Sequence, residues 1–226
     1  MHASDWRKDE QITSSIIQLY SKGKCFQQLG RFFEACAEME IDEFGDYEKA
    51  LAATEEAKNN ISKLLVTNAK GGSSSASSEA VQQWLEAVNR RLTILRQFVD
   101  ASQCLRQLGT KDLDCLKASL EFLHDKSVMD HGVVHAGDIY SLLLDYYVNI
   151  AQNVDKASEI IENMVKAGLK LDDYIDLDLI GKVNAMGGKF SSRNILTNDT
   201  SGRQSYTNLP NFTEDLIDED IIEFQT

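Results

Sequence analysis

The chain has 226 residues, 42% of them apolar, enough to fill one large core or two small ones. Its formal net charge is −13, from 23 Lys and Arg against 36 Asp and Glu; nucleic acids and anionic membranes are bound through basic patches that displace counterions, so neither is an expected partner. One proline and 13 glycines leave long stretches without a breaker, which argues against the frequent turns of a β-sandwich and favours helices.

The first twenty residues include Asp5, Arg7, Lys8, Asp9 and Glu10 and hold no apolar signal-peptide core. No apolar run approaches the roughly 20 residues that span a bilayer, so a cytosolic chain without membrane insertion is expected. An opening helix is predicted from near Asp9 to about Leu29, with Ile12, Ile16, Leu19, Tyr20 and Phe26 mostly at helical spacings. Gly30 is expected to end it. Arg31 to Phe44 reads as a second helix, and Gly45-Asp46 as a turn in which Asp46 caps a third, Tyr47 to about Val66. Residues 68–78 are rich in Gly and Ser and read as a flexible loop.

A long helix is predicted from Ser78 to about Leu108, then a shorter one, Leu113 to His124, capped by Asp112 and carrying Leu116, Leu120 and Leu123 on one side. Asp125 to Gly132 reads as a connection. The helix that follows, to about Ala151, is apolar over much of its girth through Ile139, Tyr140, Leu143, Leu144, Tyr146, Tyr147 and Val148, as expected of a helix buried between neighbours. Asp155 to Ala167 is next, closed by Gly168, and a weaker helix spans about Ile175 to Met186. The composition divides the chain into first helical repeats (1–67), a Gly/Ser loop (68–78), a second set of helical hairpins (79–187) and a disordered acidic tail (188–226).

Helices joined by short turns, with no strand signal, predict an all-α fold of antiparallel helical hairpins stacked as a degenerate tetratricopeptide-like α-solenoid. Tyr47, Ala50 and Ala57 match the second helix of a tetratricopeptide repeat, whereas no proline closes the repeat and Thr54 stands where a large residue is usual. Asp155-Lys156-Ala157 echoes the unit more loosely.

Two ordered blocks carry a more specific resemblance. Ala35-Cys36-Ala37, Glu40 to Phe44 and Asp46 to Ala50 form the first, and Gly137 to Val148 the second. Together, over roughly Leu19 to Met186, they resemble the C-terminal tetratricopeptide-like region of the intraflagellar transport protein 140 family; the acidic stretch Leu216 to Glu223 is similar to that family's acidic end. The family also has N-terminal propellers and a longer solenoid, so the resemblance implies a terminal fragment. It further implies a scaffold in intraflagellar transport complex A, partnered by other complex A subunits, that supports retrograde transport and cargo entry at the cilium, in the axoneme and basal body. A helical-repeat adaptor of a vesicle coat or another trafficking complex is the alternative, and a helical enzyme is the reading from a different class.

His131 and His135, with His124 and Cys115 upstream, have a spacing too common to indicate zinc, and a solvated first helical turn is expected for the histidine pair. Glu38, Glu40, Asp42 and Glu43 lie along one short helix and read as a solvated face rather than an acid/base pair. Asp172, Asp173, Asp176 and Asp178 lack the glycine and closing glutamate of a calcium loop and read as helix caps. Cys25, Cys36, Cys104 and Cys115 include no C-x-x-C pair and are expected as free thiols on helix faces. No catalytic residue, cofactor or metal site is therefore expected.

The candidate partner-binding residues are Leu216, Ile217, Ile221, Ile222 and Phe224. Ile217, Ile221 and Phe224 fall at i, i+4 and i+7, among six acids in the ten positions from Glu214 to Glu223. Such a stripe fits a groove with a basic rim; the bland reading is a solubilising acidic tail. The first helix presents an apolar side, which makes self-association of the isolated chain an expectation as well.

Overall fold

A computed structural model describes residues 10–70, 75–107 and 113–187. Among these the regular structure is helical: α1 (Glu10–Lys22), α2 (Phe26–Met39), α3 (Tyr47–Lys70), α4 (Ser75–Arg106), α5 (Leu113–His124), α6 (Lys126–Asp130), α7 (Ala136–Asn149), α8 (Val154–Lys166) and α9 (Leu177–Ala185). Each of α2, α3 and α4 packs on the helix that follows it, α7 packs on α8, and α9 lies against both. This is the stacked all-α, tetratricopeptide-like architecture expected from the spacing. Further contacts of α7 with α4 and α5 tie the later helices to the earlier ones.

The first break falls earlier than expected. Lys24 adopts a left-handed backbone (φ 53°) between α1 and α2, whereas Gly30 lies inside α2 and is buried. A Cβ at Gly30 would approach the Trp84 ring to 2.8 Å and Ile61 Cγ1 to 3.1 Å, so glycine there sets how closely α2 meets α3 and α4. The composition reads this residue as a breaker because glycine is poor in helices; close packing outweighs that cost of about 1 kcal/mol.

After α2 the helix widens into a π-type turn, Glu40–Phe44, closed by Gly45 at φ 62°. Asp46 then caps α3 as expected: Lys49 N–H donates to its Oδ1 at 3.0 Å, and that bond is the main cause holding its carboxyl below the ordinary range. Buried Tyr47, Ala50, Thr54, Ala57 and Ile61 line one face of α3. The small residues let neighbouring helices approach, and the Thr54 hydroxyl is satisfied by donating to the Ala50 carbonyl at 2.7 Å.

Helix α3 continues to Lys70 and α4 begins at Ser75, so 68–70 and 75–78 are helical where the composition places a loop. Asp112 and the tail, 188–226, lie outside the described residues. The connection after α5 contains α6, capped by Asp125, which accepts from Ser127 N–H at 2.9 Å. Asn153 caps α8 and Asp176 caps α9; of the four aspartates expected as caps, Asp176 takes that place, whereas Asp172 and Asp173 lie within a 3-10 turn and Asp178 in the first turn of α9.

One core cluster runs from Ala37 and Ile41 through Leu95, Phe98 and Val99 to Leu143, Ile161, Met164 and Val183. Burying each large aliphatic side chain contributes about 1.5–3 kcal/mol before chain entropy is counted. Polar ties flank it: Arg91 donates to Glu38 Oε1 at 3.0 Å and Gln103 to Glu48 Oε1 at 3.0 Å, each joining α4 to an earlier helix.

Candidate functional site

Three places combine chemistry with position. The first is a polar clasp between the start of the array and the N-terminus of α7. The Tyr47 hydroxyl donates to Asp138 Oδ2 at 2.6 Å and accepts from the His135 backbone N–H at 3.1 Å. Beside it, His135 Nε2 lies 2.9 Å from Asp42 Oδ1 on the π-type turn. The Tyr47 ring packs edge-on against Phe98 of α4 at 4.5 Å between centroids. Burial, then the Asp138 carboxylate, push the Tyr47 phenol far above its ordinary range, so it remains a donor.

His135 is thus half-buried and bound to Asp42, where the spacing predicts a solvated turn. The carboxylates read as a solvated face divide as well: Asp42 reaches His135 and Glu38 reaches Arg91. Their partners lie about 50 and 90 positions away in sequence, which a local reading does not pair. The clasp has the residue types of acid/base chemistry, yet its groups are spent on one another across a packed junction. Its evident work is to fix α7 on the first hairpin.

The second place is the Trp84 contact. The indole covers Gly30 and donates from Nε1 to Glu34 Oε2 at 2.9 Å. Burial raises the Glu34 pKa, and the Trp84 bond counters part of that rise. Gly137 repeats the device in the later helices: a Cβ there would fall within the face of the Tyr174 ring. At both positions an aromatic ring from a neighbouring segment sits on a helical glycine, which suits a tetratricopeptide-like array in which aromatics interlock adjacent units.

The third place is an open groove on the outer side of α5. Leu113, Leu116, Lys117, Leu120, Glu121 and His124 line a cavity of about 370 Å³. The spacing places Leu116 and Leu120 on one apolar side with Leu123; the structure buries Leu123 and leaves Leu113 75% exposed at the groove's end. His124 Nε2 lies 3.0 Å from the Tyr147 hydroxyl, and burial chiefly lowers its pKa. Apolar floor with charged edges is the character of a protein contact surface.

The histidines and Cys115 point in separate directions: His124 toward Tyr147, His135 toward Asp42, Cys115 toward Cys104, with His131 exposed. Among the described residues no group of three or more His, Cys, Asp or Glu is arranged to hold a metal ion, and no helix is long and apolar enough to cross a membrane. Leu216, Ile217, Ile221, Ile222 and Phe224 lie outside the described residues.

A comparison with protein families gives the stacked helices a lineage. The family model for the C-terminal TPR domain of intraflagellar transport protein 140 matches residues 27–165, more than half of the chain. The chain belongs to this family. The match starts in α2 and ends in α8, so it takes in α3, the clasp, the α5 groove and the Trp84 contact on Gly30. It covers both sequence blocks that carried the resemblance. As a C-terminal TPR domain of this family, the chain is of a scaffold type that acts through protein–protein interaction and has a cilium-related setting.

Proposed function

We propose that this chain is a non-enzymatic interaction segment of intraflagellar transport complex A, supporting retrograde ciliary transport and the entry of cargo into the cilium. The family match over residues 27–165 carries this reading. The geometry supports it: polar side chains are engaged at helix junctions, and the α5 groove offers apolar surface of the kind partners cover. Other complex A subunits would be held by helix-on-helix docking, with apolar anchors supplying affinity and charged rims setting register. Within this reading, Leu216, Ile217, Ile221, Ile222 and Phe224 form a docking stripe for a partner groove with a basic rim, and the chain works in the axoneme and at the basal body.

Affinity capture from ciliated cells, comparing the full chain with one lacking residues 213–226, tests both levels. Complex A subunits should accompany the full chain and diminish on truncation. Equal recovery with both would remove the docking role of the tail. Absence from both would remove the complex A reading.

A further inference from the structure

The two cysteines nearest the α4–α5 junction meet. Cys104, buried near the end of α4, and Cys115, exposed on the first turns of α5, are 11 positions apart, and the Cys115 thiol donates to Cys104 Sγ at 2.9 Å. Cys25 points elsewhere, toward the Gly23 carbonyl of its own turn. A thiol pair in sulfur–sulfur contact, one member open to solvent, has what a reversible disulfide requires: an entry point for oxidant and a resolving thiol already in reach.

We propose that Cys104 and Cys115 are an oxidation site that forms a reversible disulfide between α4 and α5. With a peroxide as oxidant, the exposed Cys115 thiolate attacks one peroxide oxygen and breaks the O–O bond. This gives a sulfenic acid, and the departing oxygen leaves as water after taking up a proton. Cys104 sulfur then attacks the Cys115 sulfur and expels the sulfenic hydroxyl, which leaves as a second water with the Cys104 proton. Two thiols lose two electrons in total, and one peroxide becomes two waters. A dithiol reductant reverses the bond by exchange. Cross-linking would fasten α5, whose outer side forms the groove, to the end of α4.

The test uses the full purified chain and equimolar hydrogen peroxide. Accessible-thiol titration under denaturing conditions should fall from the four cysteines of the sequence to about half. Tryptic digestion without reduction should give peptide 97–106 joined to peptide 112–117, with a mass two hydrogens below their sum, returning to the separate peptides after dithiothreitol. The C25S/C36S double variant should keep the linked peptide. Cys115→Ser, a change at an exposed position, should abolish it. Sulfinic acid on Cys115 without the linked peptide, disulfides that involve Cys25 or Cys36 instead, or cross-links whose yield rises with protein concentration would each overturn the proposal.

Discussion

Tyr47→Phe isolates the clasp, because it keeps the ring against Phe98 and removes the hydroxyl alone. Two bonds go: the donation to Asp138 at 2.6 Å and the acceptance from His135 N–H at 3.1 Å. A hydrogen bond to a charged group contributes about 1.5–3 kcal/mol and a buried backbone N–H left without a partner costs about 1 kcal/mol more. Asp138 is half-buried, so water recovers part of its loss, and we expect a net destabilisation of about 2 kcal/mol. Urea unfolding followed by helical circular dichroism reads this directly. With a slope of about 3 kcal/mol per molar, the midpoint should fall by about 0.7 M. In a double-mutant cycle with Asp138→Asn, the two changes should show a coupling of about 1 kcal/mol. A Tyr47→Phe midpoint within about 0.2 M of the parent would refute the view that this hydroxyl fixes α7 on the first hairpin.

The same phenol gives a pH signature. Its folded pKa stands above the ordinary 10.0, so its contribution is fully present below pH 10 and is lost as pH rises beyond it; urea midpoints between pH 9 and 11.5 should fall more steeply for the parent than for Tyr47→Phe. Gly137→Ala should cost about 1–2 kcal/mol despite alanine's better helix propensity, since the added Cβ meets the Tyr174 ring, and thermal melts should show the cost shrinking when Tyr174→Ala is added. Trp84→Phe leaves half-buried Glu34 without its indole donor and should destabilise by about 1–2 kcal/mol in urea titration. Thr54→Val replaces a hydroxyl bonded within its own helix by a methyl and should stay within about 1 kcal/mol of the parent, whereas Thr54→Phe, restoring the bulk usual in the repeat, should cost more than about 2 kcal/mol in the same assay because the site has no space.

What could be read from the sequence was local. Periodic apolar positions and capping residues located the helices, because the stripe Tyr47, Ala50, Ala57, Ile61 and the Asp46 cap depend only on neighbours within a turn or two. The errors came where a distant partner decides a residue's role. Gly30 ends no helix, because Trp84, more than fifty positions on, needs the room a side chain would take. His135 and Asp42 look solvated until the chain folds back and joins them across 93 positions. Cys104 and Cys115 have no motif spacing, and only the packing of α5 on α4 brings their sulfurs together. The α5 groove was half legible. Leu116 and Leu120 signal an apolar side, but which leucine of the set is covered depends on where neighbouring helices end.

The most direct test of the complex A reading is cross-linking mass spectrometry on extracts of ciliated cells containing the tagged full chain, with an amine-reactive linker that reports neighbours through exposed lysines such as Lys63 and Lys117. Cross-links should join this chain to other subunits of intraflagellar transport complex A, concentrated on one side of the helical array. Abundant cross-links within the chain that match the helix pairings described above, with none to any complex A subunit, would contradict the account while showing that the chain was folded.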